Sequence, residues 1–150
     1  MGSEFIASTD PQRETAWLGM LLRGAGYVTL LAFPAAVMPA GWMTSIADWT
    51  GAGPLAADPL SFYLARNLSL MYGFVGVGVL YIGWNLDRYR SLVRPLSFAM
   101  IAFGASQLIV DAQAGMPWWW TLGESLSTIV GGGIVYWLDS AAAKSQPKSE

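Results

Sequence analysis

Three ionisable side chains fall where an ionisable group is expensive. Arg66, Asp111 and Glu124 each sit inside a long apolar run. A charge in hydrocarbon costs about 3 kcal/mol or more unless it is paired or hydrated, so such groups turn toward the interior of a helix bundle. They lie about four to six residues inside the outer ends of three separate spans, which at about 1.5 Å of rise per residue puts each roughly 5–10 Å below the outer edge. Helical spacing gives each a stripe of small or polar neighbours: Ser69 and Gly73 with Arg66; Gln107, Gly104 and Ser97 with Asp111; Ser127, Thr128 and Gly131 with Glu124. Asn67, Tyr27 and Tyr72 are further polar groups at or below this level.

The simplest arrangement has Arg66 bridging Asp111 and Glu124. Two acids and one base leave one negative charge over. Either one acid carries a proton, or water or a cation completes the site. Gln107 and Asn67 would serve as neutral supports. The chemistry open to such a set is hydrogen bonding to a ligand's polar end, proton exchange, or acid/base work on a lipid. No catalytic residue, metal ligand or cofactor is assigned.

The elements that position these groups follow from composition. Of 150 residues, 54% are apolar and 12% charged, about half the charged share of an ordinary soluble domain. The charges cluster and leave apolar runs long enough to cross a bilayer as helices. The expected fold is all-α, an integral membrane four-helix bundle with spans at about 17–38, 60–84, 95–114 and 118–138. Pro34 should bend or end the first span. Between the first two spans, Trp42, Ile46 and Trp49 recur at helical spacing, which predicts a short interfacial helix in the first outer loop; Gly51, Gly53 and Pro54 should then break it. The turn at 115–117, Gly-Met-Pro, joins the last two spans as antiparallel neighbours. Residues 1–5 read as a cloning scar, 6–15 as a polar lead-in, 16–138 as the membrane domain, 85–94 as a charged loop and 139–150 as a flexible cytoplasmic tail.

Several function classes drop out. With neither Cys nor His, the chain has no disulfide, no thiol chemistry, no histidine-based nucleophilic catalysis and none of the usual zinc or haem ligands. Its lysines are confined to the tail. A net charge of −2 without a basic patch argues against nucleic acid. The glycine clusters at 73–78 and 131–133 follow no strand, so they read as surfaces of close helix approach rather than a nucleotide loop. Whether those faces pack within one bundle or between copies in a homo-oligomer stays open.

From the second span onward the chain resembles small bacterial four-helix membrane proteins of the DoxX-like kind. The resemblance rests on Arg66, on the run Asp87-Arg88-Tyr89-Arg90, and on Asp111 followed by Gly115, Pro117, Trp119-Trp120 and Glu124. It implies the fold and a bacterial inner membrane, and no particular chemistry. The leading expectation for function is therefore a non-enzymatic protein whose outward-facing intramembrane pocket binds a small amphiphile, a lipid or a partner helix. A proton-linked transporter or transporter subunit comes second, and an acid/base lipid-modifying enzyme third.

Orientation follows from the arginines and lysines. Arg13, Arg88, Arg90, Arg94 and the tail lysines share one side, while the loop at 39–59 and the turn at 115–117 carry none. Both termini are predicted cytoplasmic. Trp42, Trp49 and the triplet at 118–120 would form the outer aromatic belt, with Trp17, Trp84 and Trp137 in the inner one. A single cysteine introduced at Met116 should react with a membrane-impermeant thiol reagent from outside intact cells. Reaction only after cytoplasmic access would reverse the topology.

Overall fold

The computed structural model describes residues 11–51 and 55–144, all built from helices and their connections. Elements α1 (Pro11–Leu30) and α2 (Ala32–Val37) form one apolar stretch interrupted at Leu31. The interruption follows from Pro34, which has no N–H to offer the Leu30 carbonyl and whose ring crowds that carbonyl. The expected polar lead-in is corrected: helix begins at Pro11, and Glu14 is buried on the face that continues as Leu18 and Leu22. Residues 1–10 lie outside the described structure.

Element α3 (Ala40–Thr50) follows Pro39 and ends at Gly51, whose φ of 69° is the left-handed conformation that glycine adopts without strain. None of its residues is buried, and Trp42, Ile46 and Trp49 are exposed. Gly53 and Pro54 fall outside the described residues. Element α4 (Pro59–Trp84) starts where its chemistry dictates. The Asp58 carboxylate accepts from the N–H groups of Leu60 and Ser61 at 2.9 and 3.0 Å and from the Ser61 hydroxyl at 2.7 Å. Pro59 stands at a position where no N–H is needed. Those bonds, the Ser61 hydroxyl foremost, hold the Asp58 carboxyl below its usual range.

The charged segment expected as a loop at 85–94 is helical. It forms α5 (Leu86–Tyr89), a 3-10 turn (Arg90–Leu92) and the start of α6 (Val93–Ala114). Pro95 sits in the first turn of α6, where helix N–H groups lack partners anyway. Gly115, with φ 65°, closes α6. Pro117 then opens α7 (Trp118–Thr121), which leads through a π-helical turn (Leu122–Leu126) into α8 (Ser127–Lys144).

Among the described residues, three stretches are long and apolar enough to cross a membrane: Gln12–Val37, Pro59–Trp84 and Leu86–Ala114. Their outward faces carry large apolar groups such as Phe74, Ile109 and Val110, which fits a membrane protein. Element α1 packs along α4 and α8, and α8 packs along α6. A hydrophobic core of Leu18, Leu22, Leu86, Val93 and Val135 sits at the arginine-bearing end.

That end corrects the expected tail. Helix α8 runs to Lys144, and Asp139 is only 4% exposed. Its carboxylate takes Arg90 Nε at 3.3 Å and Arg94 Nε at 2.9 Å. Two arginines that mark orientation in the sequence thus also tie α8 to the start of α6. Residues 145–150 lie outside the described structure.

Close approach along the helices depends on glycine. A Cβ on Gly76 would stand 3.0 Å from the Gly26 carbonyl oxygen and 3.0 Å from the Leu30 nitrogen, both backbone atoms, whereas one on Gly78 would meet nothing within 4 Å. Gly76→Ala should lower stability by about 1–3 kcal/mol through overpacking. Gly78→Ala should be neutral or stabilising by up to about 1 kcal/mol through helix propensity. Unfolding of both variants in mixed micelles would check this, and equal effects would contradict the α1–α4 packing.

Candidate functional site

Gln107 and Asp111 occupy the same face of α6, one turn apart, in its last two turns. Opposite them lies the π-helical turn with Glu124 and Ser125. In a regular α-helix two consecutive side chains diverge by about 100° and would not both face one neighbour. A π turn holds one extra residue per wide turn. Here Glu124 and Ser125 both reach α6: Glu124 meets Gln107, and Ser125 meets Asp111.

The sequence pattern puts Gly131 on the Glu124 face, but the glycine driven into α6 is Gly132. A Cβ there would come 2.9 Å from the Ser97 carbonyl oxygen, whereas one on Gly131 would meet only the Met100 side chain at an ordinary 3.5 Å. The buried stripe on this helix is Ser125, Gly132, Val135, Asp139 and Ala142. On α6 it is Val93, Ser97, Gly104 and Asp111. Gly104 matters because a Cβ there would lie 2.8 Å from the Ser125 carbonyl oxygen.

Two hydrogen-bonded pairs result. Asp111 is buried and accepts from the Ser125 hydroxyl at 2.6 Å. Glu124 is half-buried, and its Oε1 accepts from Gln107 Nε2 at 2.8 Å and from the Tyr72 hydroxyl at 3.3 Å. Gln107 Nε2 also lies 3.3 Å from the Tyr72 oxygen. The Tyr72 ring meets Phe103 edge-on at 6.5 Å between centroids, so this one residue carries α4 across to α6. Gln107 Oε1 is buried and has no hydrogen-bond partner. Both carboxylates are therefore met by neutral donors.

The expected bridge from Arg66 is not made. Arg66 Nη2 donates instead to the Met38 carbonyl oxygen at 3.2 Å. Met38 follows the last residue of α2, where carbonyls lack intrahelical partners and a cation is favoured. The end of α2, where Met38 is extended before Pro39, creates that acceptor, and Arg66 meets it. Asn67 is exposed and stands apart from the cluster, as does Tyr27. Of the residues expected at the site, Asp111, Glu124 and Gln107 come together. Tyr72 belongs with them, and Ser125 was missed. Its only sequence signal is the spacing to Gly132 and Asp139, which emerges once the stripe is counted from Ser125. No family model, curated protein or solved structure matches the chain.

Removing the Ser125 hydroxyl leaves a buried carboxylate without its side-chain donor. Ser125→Ala should cost about 1–3 kcal/mol. Ser127→Ala, whose hydroxyl is exposed and bonds only carbonyls of its own helix, should stay within about 0.5 kcal/mol of the parent. Unfolding free energies in micelles test the pair, and a harmless Ser125→Ala would contradict the Asp111 contact.

Proposed function

We propose that the chain is an integral membrane four-helix bundle that binds the polar end of a small amphiphile, a lipid or a partner helix at the Tyr72–Gln107–Glu124 cluster. In this reading the run 118–144 is the fourth spanning segment, α3 lies in the outer interface, and both termini face the cytoplasm of a bacterial inner membrane. The exposed tryptophans of α3, Trp42 and Trp49, and Trp118 beside the turn support that placement.

The observation that carries the binding reading is an excess of acceptors. Glu124 is half-buried without a basic partner, and the buried Gln107 Oε1 next to it accepts nothing. A ligand whose head donates hydrogen bonds, an amine or a hydroxyl, would satisfy both. This revises the role first expected of Arg66, which is engaged at Met38 and supplies no anchor for an anionic head. Tyr72 and Gln107 would orient the Glu124 carboxylate, while the Ser125–Asp111 pair would hold the π turn against α6.

The same lack of a cation supports a second reading, in which Glu124 exchanges a proton and the protein is a proton-linked transporter or its subunit. Native mass spectrometry of the purified chain separates the two. The binding reading expects a co-purifying amphiphile with an amine or hydroxyl head, lost in Glu124→Gln. A spectrum free of adducts, or an adduct unchanged in Glu124→Gln, would sink it. The transport reading instead requires uptake into vesicles that follows a pH gradient and disappears in the same variant.

A further inference from the structure

The arginine-bearing end holds a second feature that the carboxyl cluster does not use. A cavity of about 490 Å³ opens between the first half of α1, the end of α4 and α5. Arg23 and Arg90 line it, with Thr15 and Gln12 as neutral hydrogen-bonding groups and Asp87 as the acid.

Arg23 originates deep on α1, yet its guanidinium turns back toward the helix start. Its Nη2 lies 3.8 Å from the point that a Cβ on Gly19 would take. Trp84 supports it from below, with the guanidinium carbon 4.9 Å from the ring centroid, which holds the charge without neutralising it. Arg90 approaches from the other wall. Its Nε goes to Asp139, its Nη1 donates to the Thr15 hydroxyl oxygen at 3.4 Å, and its Nη2 is buried without a partner. Asp139 is shared with Arg94 and is not Arg90's alone, and among the residues lining the cavity Arg23 and Arg90 stand against Asp87. Gly19 and Thr15 are one helical turn apart on α1, and both guanidiniums border the same cavity.

We propose that this cavity binds a phosphate group, held by Arg23 and Arg90. Basic recesses between helix ends at a cytoplasmic face suit anionic headgroups, and guanidinium suits phosphate oxygens. The phosphate has two possible sources, an anionic lipid headgroup or free phosphate in solution. The site lies at the opposite end of the bundle from Glu124 and stands or falls separately from it.

The test uses the full chain in neutral detergent micelles, titrated by calorimetry with short-chain phosphatidylglycerol and, separately, with inorganic phosphate. Saturable binding of at least one probe is expected, weakened about tenfold or more in Arg23→Gln. Gly19→Val keeps every charge but fills the cavity. Its Cβ meets the Leu86 side chain at 3.7 Å and Arg23 Nη2 and the Gly83 carbonyl oxygen at 3.8 Å, all ordinary contacts, so the variant should fold and lose binding. Arg88 belongs to the same charged segment but not to the cavity wall, and Arg88→Gln should bind like the parent. Phosphatidylglycerol binding that excess inorganic phosphate leaves untouched identifies a lipid headgroup, and competition at equal concentrations identifies free phosphate. Either result supports the site. Helical circular dichroism confirms that each variant is folded. The proposal is overturned if neither probe saturates, if folded Arg23→Gln or Gly19→Val binds like the parent, or if Arg88→Gln loses as much as Arg23→Gln.

Discussion

The closeness of α6 and α8 constrains the rest of the half that holds Asp111 and Glu124. Gly104 and Gly132 leave so little space that an added Cβ would stand 2.8 and 2.9 Å from backbone carbonyl oxygens of the facing helix. At that separation a buried carboxylate on one helix needs a short donor on the other. Asp111 receives one from Ser125 at 2.6 Å. The π turn allows this without giving up Glu124, because it lets two consecutive residues face α6. Once Ser125 is fixed on Asp111, Glu124 is carried to Gln107, and Tyr72 closes the group from α4.

Much of this was legible in the sequence. Apolar runs bounded by Pro, Gly and charge revealed the helices, and the expense of burying a carboxylate pointed to Asp111 and Glu124. Gln107 followed from i, i+4 spacing to Asp111. Pro34 did interrupt its helix. Elsewhere local pattern was overridden by contacts distant in sequence. Arg66 looked like the natural partner of two acids at its own depth, but the interrupted helix ends at a bare carbonyl nearby, and the arginine meets that. Glu124 shared a predicted face with Gly131, but the stripe that packs on α6 runs through Ser125, Gly132 and Asp139 at regular seven-residue spacing. Asp139 read as the start of a polar tail because nothing local shows that Arg90 and Arg94 converge on it.

The two ends of the helix assembly therefore have opposite electrostatic character. At the Glu124 end, carboxylates are met by neutral donors from Ser125, Gln107 and Tyr72, which leaves acceptors in excess. At the other, Asp139 is shared by two guanidiniums beside the Leu18–Leu22–Val93–Val135 core, and Arg23 rests on Trp84. The hydrophobic core and the ion pairs hold the helices together at the arginine end.

The central claim is that Glu124 is partnered by Gln107 and not by Arg66. Double-mutant cycles on unfolding free energy measure both couplings directly. With Glu124→Gln as the common change, pairing it with Gln107→Leu should give a coupling of about 0.5–1.5 kcal/mol. Pairing it with Arg66→Gln should give a value indistinguishable from zero. A coupling above about 1 kcal/mol between Arg66 and Glu124, with none between Gln107 and Glu124, would contradict the account and restore the neutralising salt bridge.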